Sequence, residues 1–87
     1  MKVFKFYSDD YYYAYSGHNE DEARLTLLDD LGEMEIDKVE EIPESEWGAK
    51  IINVWEDNLT ETVPYRISIR ENMGEIPGII FTNDLGF

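Results

Sequence analysis

Four tyrosines in the segment Tyr11–Tyr15 are the first residues whose types and spacing suggest chemistry. Aromatic rings can stack on nucleic-acid bases, but such a platform also needs a positive groove that follows the phosphates. Only Lys2, Lys5 and Arg24 supply positive charge in the first 33 residues, where they lie among acids. Stacking on bases is therefore disfavoured, and we interpret the tyrosines as a strand that covers the core or faces another protein.

Nucleophilic catalysis has little support in this sequence. The chain contains no cysteine, which excludes a thiolate nucleophile, a disulfide and a thiolate metal site. His18 is the single histidine, so a Ser-His-Asp site would have to use it. Because His18 directly precedes a predicted helix start, we interpret it as a solvated turn residue. We expect no enzymatic activity and no cofactor.

Carboxylates are the remaining candidates for a chemical role, and calcium or magnesium would be their ligand. Asp29, Asp30, Glu33, Glu35 and Asp37 are close in sequence, but the EF-hand pattern is absent. Alternate residues of a strand lie about 6.6 Å apart on one face, too far for three of them to hold one ion. We therefore predict no dedicated metal site.

The charge balance is the strongest signal in the sequence. Twenty acidic and seven basic residues give a net charge of −13, which would repel nucleic-acid phosphates and anionic membranes. Residues 20–57 carry 14 of these acids against three basic residues. A net charge of this size corresponds to about 22 Å of DNA duplex, and a folded chain of this length has a radius of gyration of about 12 Å. The charge is thus of the right order to imitate a short piece of DNA.

The expected partner is a basic nucleic-acid-binding protein, such as a defence nuclease, whose site grips phosphates with lysine and arginine. The candidate partner-binding residues are seven acids with one aromatic anchor: Glu33, Glu35, Asp37, Glu40, Glu41, Glu44, Glu46 and Trp47. Two alternatives stay open. The acidity can serve solubility alone, or the chain can be a structural or housekeeping domain that self-associates through the tyrosine hairpin. We expect a monomer or weak dimer that binds neither nucleic acid nor membrane.

The elements that must position these residues begin with a hairpin. Met1–Tyr7 alternates as a strand, with Phe4 and Phe6 on one face, and Tyr11–Ser16 returns after a turn. A helix is predicted over Glu20–Leu31, because Asn19 is a good N-cap. Glu22 at the capping-box position and Gly32 after the last turn are further helix signals. An apolar stripe along the helix consists of Ala23, Leu27, Leu28 and Leu31.

The sequence patterns in the second half of the chain are less regular than those in the first half. Acidic and apolar residues alternate from 33 to 37 as in a strand, and the pattern then breaks before Pro43. Segment 43–48 is expected to form a turn or one helical turn that ties down Trp47. Strands are predicted at 50–56 and 78–82. For 65–73 a short helix, capped by Ser68 and Glu71, is preferred over a strand at 65–70.

These elements predict one α+β domain covering residues 1–87. We expect an antiparallel sheet of four to five strands with one main helix on a face and a short second helix near 68–73. The chain has 43% hydrophobic residues, enough for a core, and no membrane-spanning apolar stretch. A cytoplasmic location is therefore expected. The large core candidates are Phe4, Phe6, Trp47, Trp55 and Phe81.

The chain also resembles the short acidic proteins encoded by bacteriophages and mobile elements. The resemblance covers most of the sequence and is carried by the segments KVFKFYSDDYYYAYS, EDEARLTLLDDLG, EEIPESEW and SIRENMGEIPGIIFTND. That class includes inhibitors of host defence nucleases, among them anti-CRISPR and anti-restriction proteins that look like DNA to their targets. The resemblance implies a role as an inhibitor that mimics DNA, without assigning any individual residue.

Overall fold

A computed structural model describes residues 1–57 and 62–83, and the side chains of 1–52 and 66–83. Helices, strands and one 3-10 turn, Glu44–Glu46, alternate along this part of the chain. The strands are β1 (Lys2–Ser8), β2 (Tyr11–Gly17), β3 (Lys38–Ile42), β4 (Lys50–Asp57), β5 (Thr62–Ser68) and β6 (Ile79–Thr82). The helices are α1 (Glu20–Leu31) and α2 (Ile69–Asn72).

The predicted α+β fold is confirmed. Four strands form an antiparallel sheet in the order β3-β1-β2-β6, which makes β3 an edge strand. Helix α1 packs across β2 and β1 on one face of this sheet. The predicted strand at 50–56 forms as β4, but it pairs with β5 in a separate two-stranded sheet.

The tyrosine hairpin is divided between the two faces of the sheet. Tyr13 and Tyr15 are buried on the α1 face, whereas Tyr12 is half-buried on the second face. Tyr11, at the start of β2, is exposed. This is the separation that the period of two predicts. Two of the four tyrosines, Tyr13 and Tyr15, therefore pack under the helix.

Two clusters of buried side chains stabilise the sheet from opposite sides. The α1 cluster consists of Phe4, Phe6, Tyr13, Tyr15, Ala23 and Leu27. The second cluster consists of Val3, Ala14, Trp47, Ile52, Ile69 and Ile80, and the half-buried Phe81 packs against it. The register of β6 shifts opposite Ala14 and Tyr15. This bulge lets the consecutive residues Ile80 and Phe81 contact the same cluster. The side chain of Trp55 lies outside the described residues.

Local signals define α1 at both ends. The Asn19 side chain accepts a hydrogen bond from the backbone N–H of Glu22 (2.8 Å), which confirms the predicted N-cap. The Glu22 carboxylate reaches back to the backbone N–H of His18 (2.8 Å), one residue before the expected one. At the other end Gly32 has φ +85° and donates to Leu28 (2.8 Å), so a residue without Cβ ends the helix.

One prediction for the second half needs correction and another is confirmed. Residues 33–37 do not form the predicted strand, since β3 begins only at Lys38. The reason is that β1 ends at Ser8 and turns into β2, so that residues before Lys38 have no strand to pair with. The preferred short helix near 68–73 is confirmed, because α2 spans Ile69–Asn72 and Ser68 and Glu71 form its capping box. The competing strand at 65–70 holds only as far as Ser68, where β5 ends.

The predicted helical turn before Trp47 is confirmed. The segment Glu44–Glu46 forms a 3-10 turn, and the Trp47 indole is only 8% exposed. The indole Nε1 donates a hydrogen bond to the carbonyl of Ile42 (3.0 Å). The segment after β3 is therefore held against the sheet by a buried ring whose polar atom has an acceptor.

Candidate functional site

The seven predicted acids are all exposed, and they belong to segment 33–46, which contains the edge strand β3 of the main sheet. Glu33, Glu35 and Asp37 belong to the segment that leads from α1 into the edge strand β3. Glu40 and Glu41 lie within β3, and their side chains leave the strand on opposite faces. Glu44 and Glu46 follow on the 3-10 turn. The segment thus presents carboxylates on both faces of the sheet edge.

Glu40 forms two side-chain contacts, one through each of its carboxylate oxygens. It lies on the second face, where one carboxylate oxygen accepts a 2.5 Å hydrogen bond from the Tyr7 hydroxyl. The other oxygen is 3.7 Å from the Lys38 ammonium. The Tyr7 hydrogen bond, aided by the charge of Lys38, lowers the pKa of Glu40. The same bond is the main cause that raises the pKa of Tyr7 to about 12. Glu40 therefore stays charged at neutral pH.

Lysine and tyrosine side chains surround Glu40 on the second face. The Lys5 ammonium lies 4.0 Å from the Tyr12 ring centre and 5.2 Å from the Tyr7 ring centre. Lys5 is paired with Glu40 in the β1–β3 register. Tyr12 also makes an edge contact with Phe81, with ring centres 5.8 Å apart. This face combines cation–π contacts with carboxylate pairing.

A groove of about 630 Å³ lies between this face and the segment that follows β3. Its lining includes the acids Glu40, Glu41 and Glu46, and Lys5 supplies its cation. Of the two β3 acids, Glu40 is the one whose side chain lies on this face. Apolar lining comes from Ile51, which is 50% exposed, and from the half-buried rings of Tyr12 and Phe81, among others. Pockets of about 300–1,000 Å³ commonly hold small ligands or side chains. We call this feature the acidic groove.

The acids of the candidate site differ in how far they are neutralised. Glu41 lies 4.0 Å from Lys2, and Glu44 lies 3.6 Å from Arg70. Asp37 accepts a hydrogen bond from the backbone N–H of Asp9 (3.0 Å). Within the described part of the chain, three carboxylates of the set form no ion pair and accept no hydrogen bond: Glu33, Glu35 and Glu46.

Trp47 was predicted as an anchor for the partner, and the structure places its ring in the second core cluster. Arg70 lies over the outer side of this indole, 5.6 Å from the ring centre. The aromatic residues that line the acidic groove are instead Tyr12 and Phe81. Sequence reasoning did not assign these two residues or Lys5 to the candidate site, because their proximity depends on the β1–β3 and β2–β6 registers. The one sequence signal that bears on this arrangement is the alternation of side chains between the two faces of each strand.

The residues considered for metal and acid–base chemistry are dispersed. No three acidic or histidine side chains among residues 1–52 and 66–83 converge as a metal site requires. The imidazole Nδ1 of His18 lies 2.7 Å from the Glu22 carboxylate at the exposed start of α1. The backbone hydrogen bond from His18, with its side-chain contact, lowers the pKa of Glu22. His18 thus belongs to the helix cap.

Comparison with known proteins adds no functional assignment. No protein-family model, curated protein or solved structure matches this chain. The described helices are all too short to cross a membrane as an apolar span. The exposed acids of segment 33–46 and the acidic groove are therefore the features that bear on function.

Proposed function

We propose that the protein binds a basic nucleic-acid-binding protein and occludes its nucleic-acid site with a DNA-like negative surface. The observation that carries the proposal is the exposure of all seven acids of segment 33–46, which contains the edge strand β3. Lysine and arginine side chains that normally bind phosphates would find carboxylates there, and opposite charge would steer the encounter.

The amount of charge supports this proposal. Residues 20–57 carry 14 acidic and three basic residues, a net charge of −11, which equals that of about 19 Å of duplex. The molecule measures 42 × 28 × 21 Å along its principal axes. Charge spread evenly over the longest dimension would be sparser than on DNA. The imitation therefore depends on the concentration of acids in α1 and segment 33–46.

The resemblance to small acidic phage and mobile-element proteins narrows the proposed partner. Within this proposal the target is a defence nuclease, the action is inhibition by occlusion, and the place is the host cytoplasm. A nuclease channel offers a dense row of basic side chains that must stay accessible to its substrate. Filling that channel with carboxylates would block the substrate without any covalent step.

The test combines affinity capture with competition by duplex DNA. The immobilised protein is incubated with lysate, washed at low and moderate salt, and the captured proteins are identified. We expect a nucleic-acid-binding protein that is released by salt and displaced by a short DNA duplex. A captured protein that still binds DNA while complexed would overturn the proposal, because its nucleic-acid site would be free.

Two matched double charge reversals test the role of segment 33–46 specifically. Glu33→Lys with Glu35→Lys changes two exposed acids and moves the net charge from −13 to −9. Asp10→Lys with Glu75→Lys makes the same change outside segment 33–46. We expect the first pair to weaken binding at least about tenfold and the second far less. Equal losses would show that net charge alone matters. Both pairs should unfold within about 0.5 kcal/mol of the wild type.

A further inference from the structure

The protein's own cations show a repeated mode of contact. Three of them lie 5.4–5.6 Å from an aromatic ring centre and 3.2–3.7 Å from a carboxylate oxygen. These sites join Lys38 to Tyr7 and Glu40, Arg24 to Phe6 and Glu20, and Arg70 to Trp47 and Glu44. An aromatic face and a carboxylate together attract a cation more strongly than either does alone.

The acidic groove contains the same two components, and its lining cation, Lys5, is not ion-paired with Glu46. Glu46 lines it without an ion pair to any described residue. Phe81 lines it with an aromatic ring, and the half-exposed Ile51 adds an apolar wall. The cation that the groove does contain, Lys5, lies over the Tyr12 ring. The groove is thus an aromatic–carboxylate site with room for a cation from outside.

The lining defines the chemistry of that cation. The carboxylates of Glu40 and Glu46 outnumber the one lysine and disfavour a phosphate. A bare divalent ion is disfavoured too, since no three carboxylates of the described residues converge and half of the lining is apolar. A side chain with an apolar stem and a charged end fits both parts of the groove. Arginine fits better than lysine, because its planar guanidinium stacks on rings and pairs with carboxylates at once.

We propose that the acidic groove holds an arginine side chain of the basic partner protein, with the guanidinium at Glu46 and the stem against Ile51 and Phe81. This inference rests on the proposed function, because it assumes that the partner is a basic protein. It adds a specific anchor to a surface that otherwise acts through distributed charge. An anchor in a groove slows dissociation, whereas charge at the rim mainly speeds association.

The test uses three short fluorescent peptides in which glycine alternates with arginine, lysine or citrulline. Citrulline keeps the shape of arginine without its charge. Affinity is measured by fluorescence anisotropy at low salt, and the site is mapped by amide chemical shifts. We expect the arginine peptide to bind several-fold more tightly than the lysine peptide and the citrulline peptide to bind least. The shifts should centre on Glu46, Ile51 and Phe81.

Two variants and a matched control complete the experiment. Glu46→Gln should weaken the arginine peptide about fivefold, and Ile51→Ser should also weaken it. Glu75→Gln removes the same charge from an exposed acid that does not line the groove, and it should change affinity less than twofold. Residues 46, 51 and 75 are exposed, so the fold should tolerate all three changes.

The inference is overturned by any of three results: equal binding of arginine and lysine peptides, equal effects of Glu46→Gln and Glu75→Gln, or no peptide binding at low salt. None of these results decides the proposed function, which depends on displacement of the captured protein by duplex DNA and on the Glu33 and Glu35 reversals. Conversely, failure of that displacement together with arginine-specific peptide binding would leave the groove as a cation site and remove the DNA-like role.

Discussion

The Tyr7 hydroxyl donates a hydrogen bond to the Glu40 carboxylate, joining the central strand β1 to the edge strand β3 across 33 positions of sequence. The bond lies beside Lys5 and Lys38, whose ammonium groups are 5.2 Å and 5.4 Å from the Tyr7 ring centre. Glu40 therefore serves the fold as well as the acidic surface. The carboxylates best suited to a partner are those that the fold leaves unpaired, including Glu33, Glu35 and Glu46.

Replacing Tyr7 should change the titration of Glu40. Tyr7→Phe removes the hydrogen bond that is the largest cause of the lowered Glu40 pKa, so this pKa should rise toward its ordinary value. Carboxyl-carbon NMR shifts followed against pH measure the change. Tyr11→Phe removes an exposed hydroxyl that is outside this network and serves as the control. Because the bond is exposed, Tyr7→Phe should cost less than about 1 kcal/mol of unfolding free energy. An unchanged Glu40 titration would contradict this assignment.

Acid should remove the contribution of Glu22 to stability. The pKa of Glu22 in the folded protein lies below its ordinary value of 4.5, mainly because of the hydrogen bond from the His18 backbone. A lowered folded-state pKa stabilises the fold above pH 4.5 and loses that effect as the pH falls through the folded-state value. The stability gap between the wild type and Glu22→Gln should therefore narrow below pH 4.5. Urea unfolding at neutral and acidic pH measures this gap.

The control for the acid prediction is Glu75→Gln. It removes one negative charge from an exposed position and so reports the effect of relieving general repulsion in a chain of net charge −13. A specific role for the cap hydrogen bond would be ruled out if the stability difference between the wild type and Glu22→Gln were the same at both pH values. It would also be ruled out if Glu75→Gln showed the same change of stability with pH.

The leucines of α1 should differ sharply in their effect on stability. Leu27 is completely buried in the α1 cluster, whereas Leu25 is 66% exposed. Leu27→Ala should lower the free energy of unfolding by about 2–5 kcal/mol, since it removes packed methyl groups and leaves a cavity. Leu25→Ala makes the same chemical change at the surface and should stay within about 0.5 kcal/mol. Similar urea midpoints for the two variants would contradict the packing of α1 on the sheet.

A methyl group at Gly17 should force β2 and α1 apart. A Cβ atom at this position would lie 2.6 Å from the backbone nitrogen of Ala23 and 3.0 Å from its Cα and Cβ. These neighbours belong to a helix and cannot move as a side chain can, so Gly17→Ala should cost about 1–3 kcal/mol. Gly48→Ala is the control, because no atom lies within 4 Å of its added Cβ. Equal thermal unfolding of the two variants would argue against this close approach.

Elements defined by neighbouring residues were predictable from the sequence. The bounds of α1 match the prediction because Asn19 and Gly32 act on the backbone next to them. The β1–β2 hairpin was predictable because its strands are joined by a two-residue turn and alternate with a period of two. The exposure of the acids in segment 33–46 follows from the cost of burying an unpaired charge.

Relationships between distant segments were decided by the tertiary structure. Alternation at 33–37 suggested a strand, but a strand also needs a neighbour to bond with, and β1 has already ended there. Likewise, no local signal showed that 62–68 would pair with β4 in a sheet of its own. Hydrogen bonding between strands is non-local, so the same residues can satisfy the pattern in several pairings.

The sequence by itself determined the kind of surface, and the tertiary structure decided which residues of that surface act together. Charge is a sum over residues and needs no fold, so the acidity of 20–57 was evident from composition. The acidic groove arises because the β1–β3 register sets Lys5 opposite Glu40, while the buried Trp47 holds the following turn near the sheet. Such proximity depends on strand register and core packing, which bring together residues that are far apart in the chain.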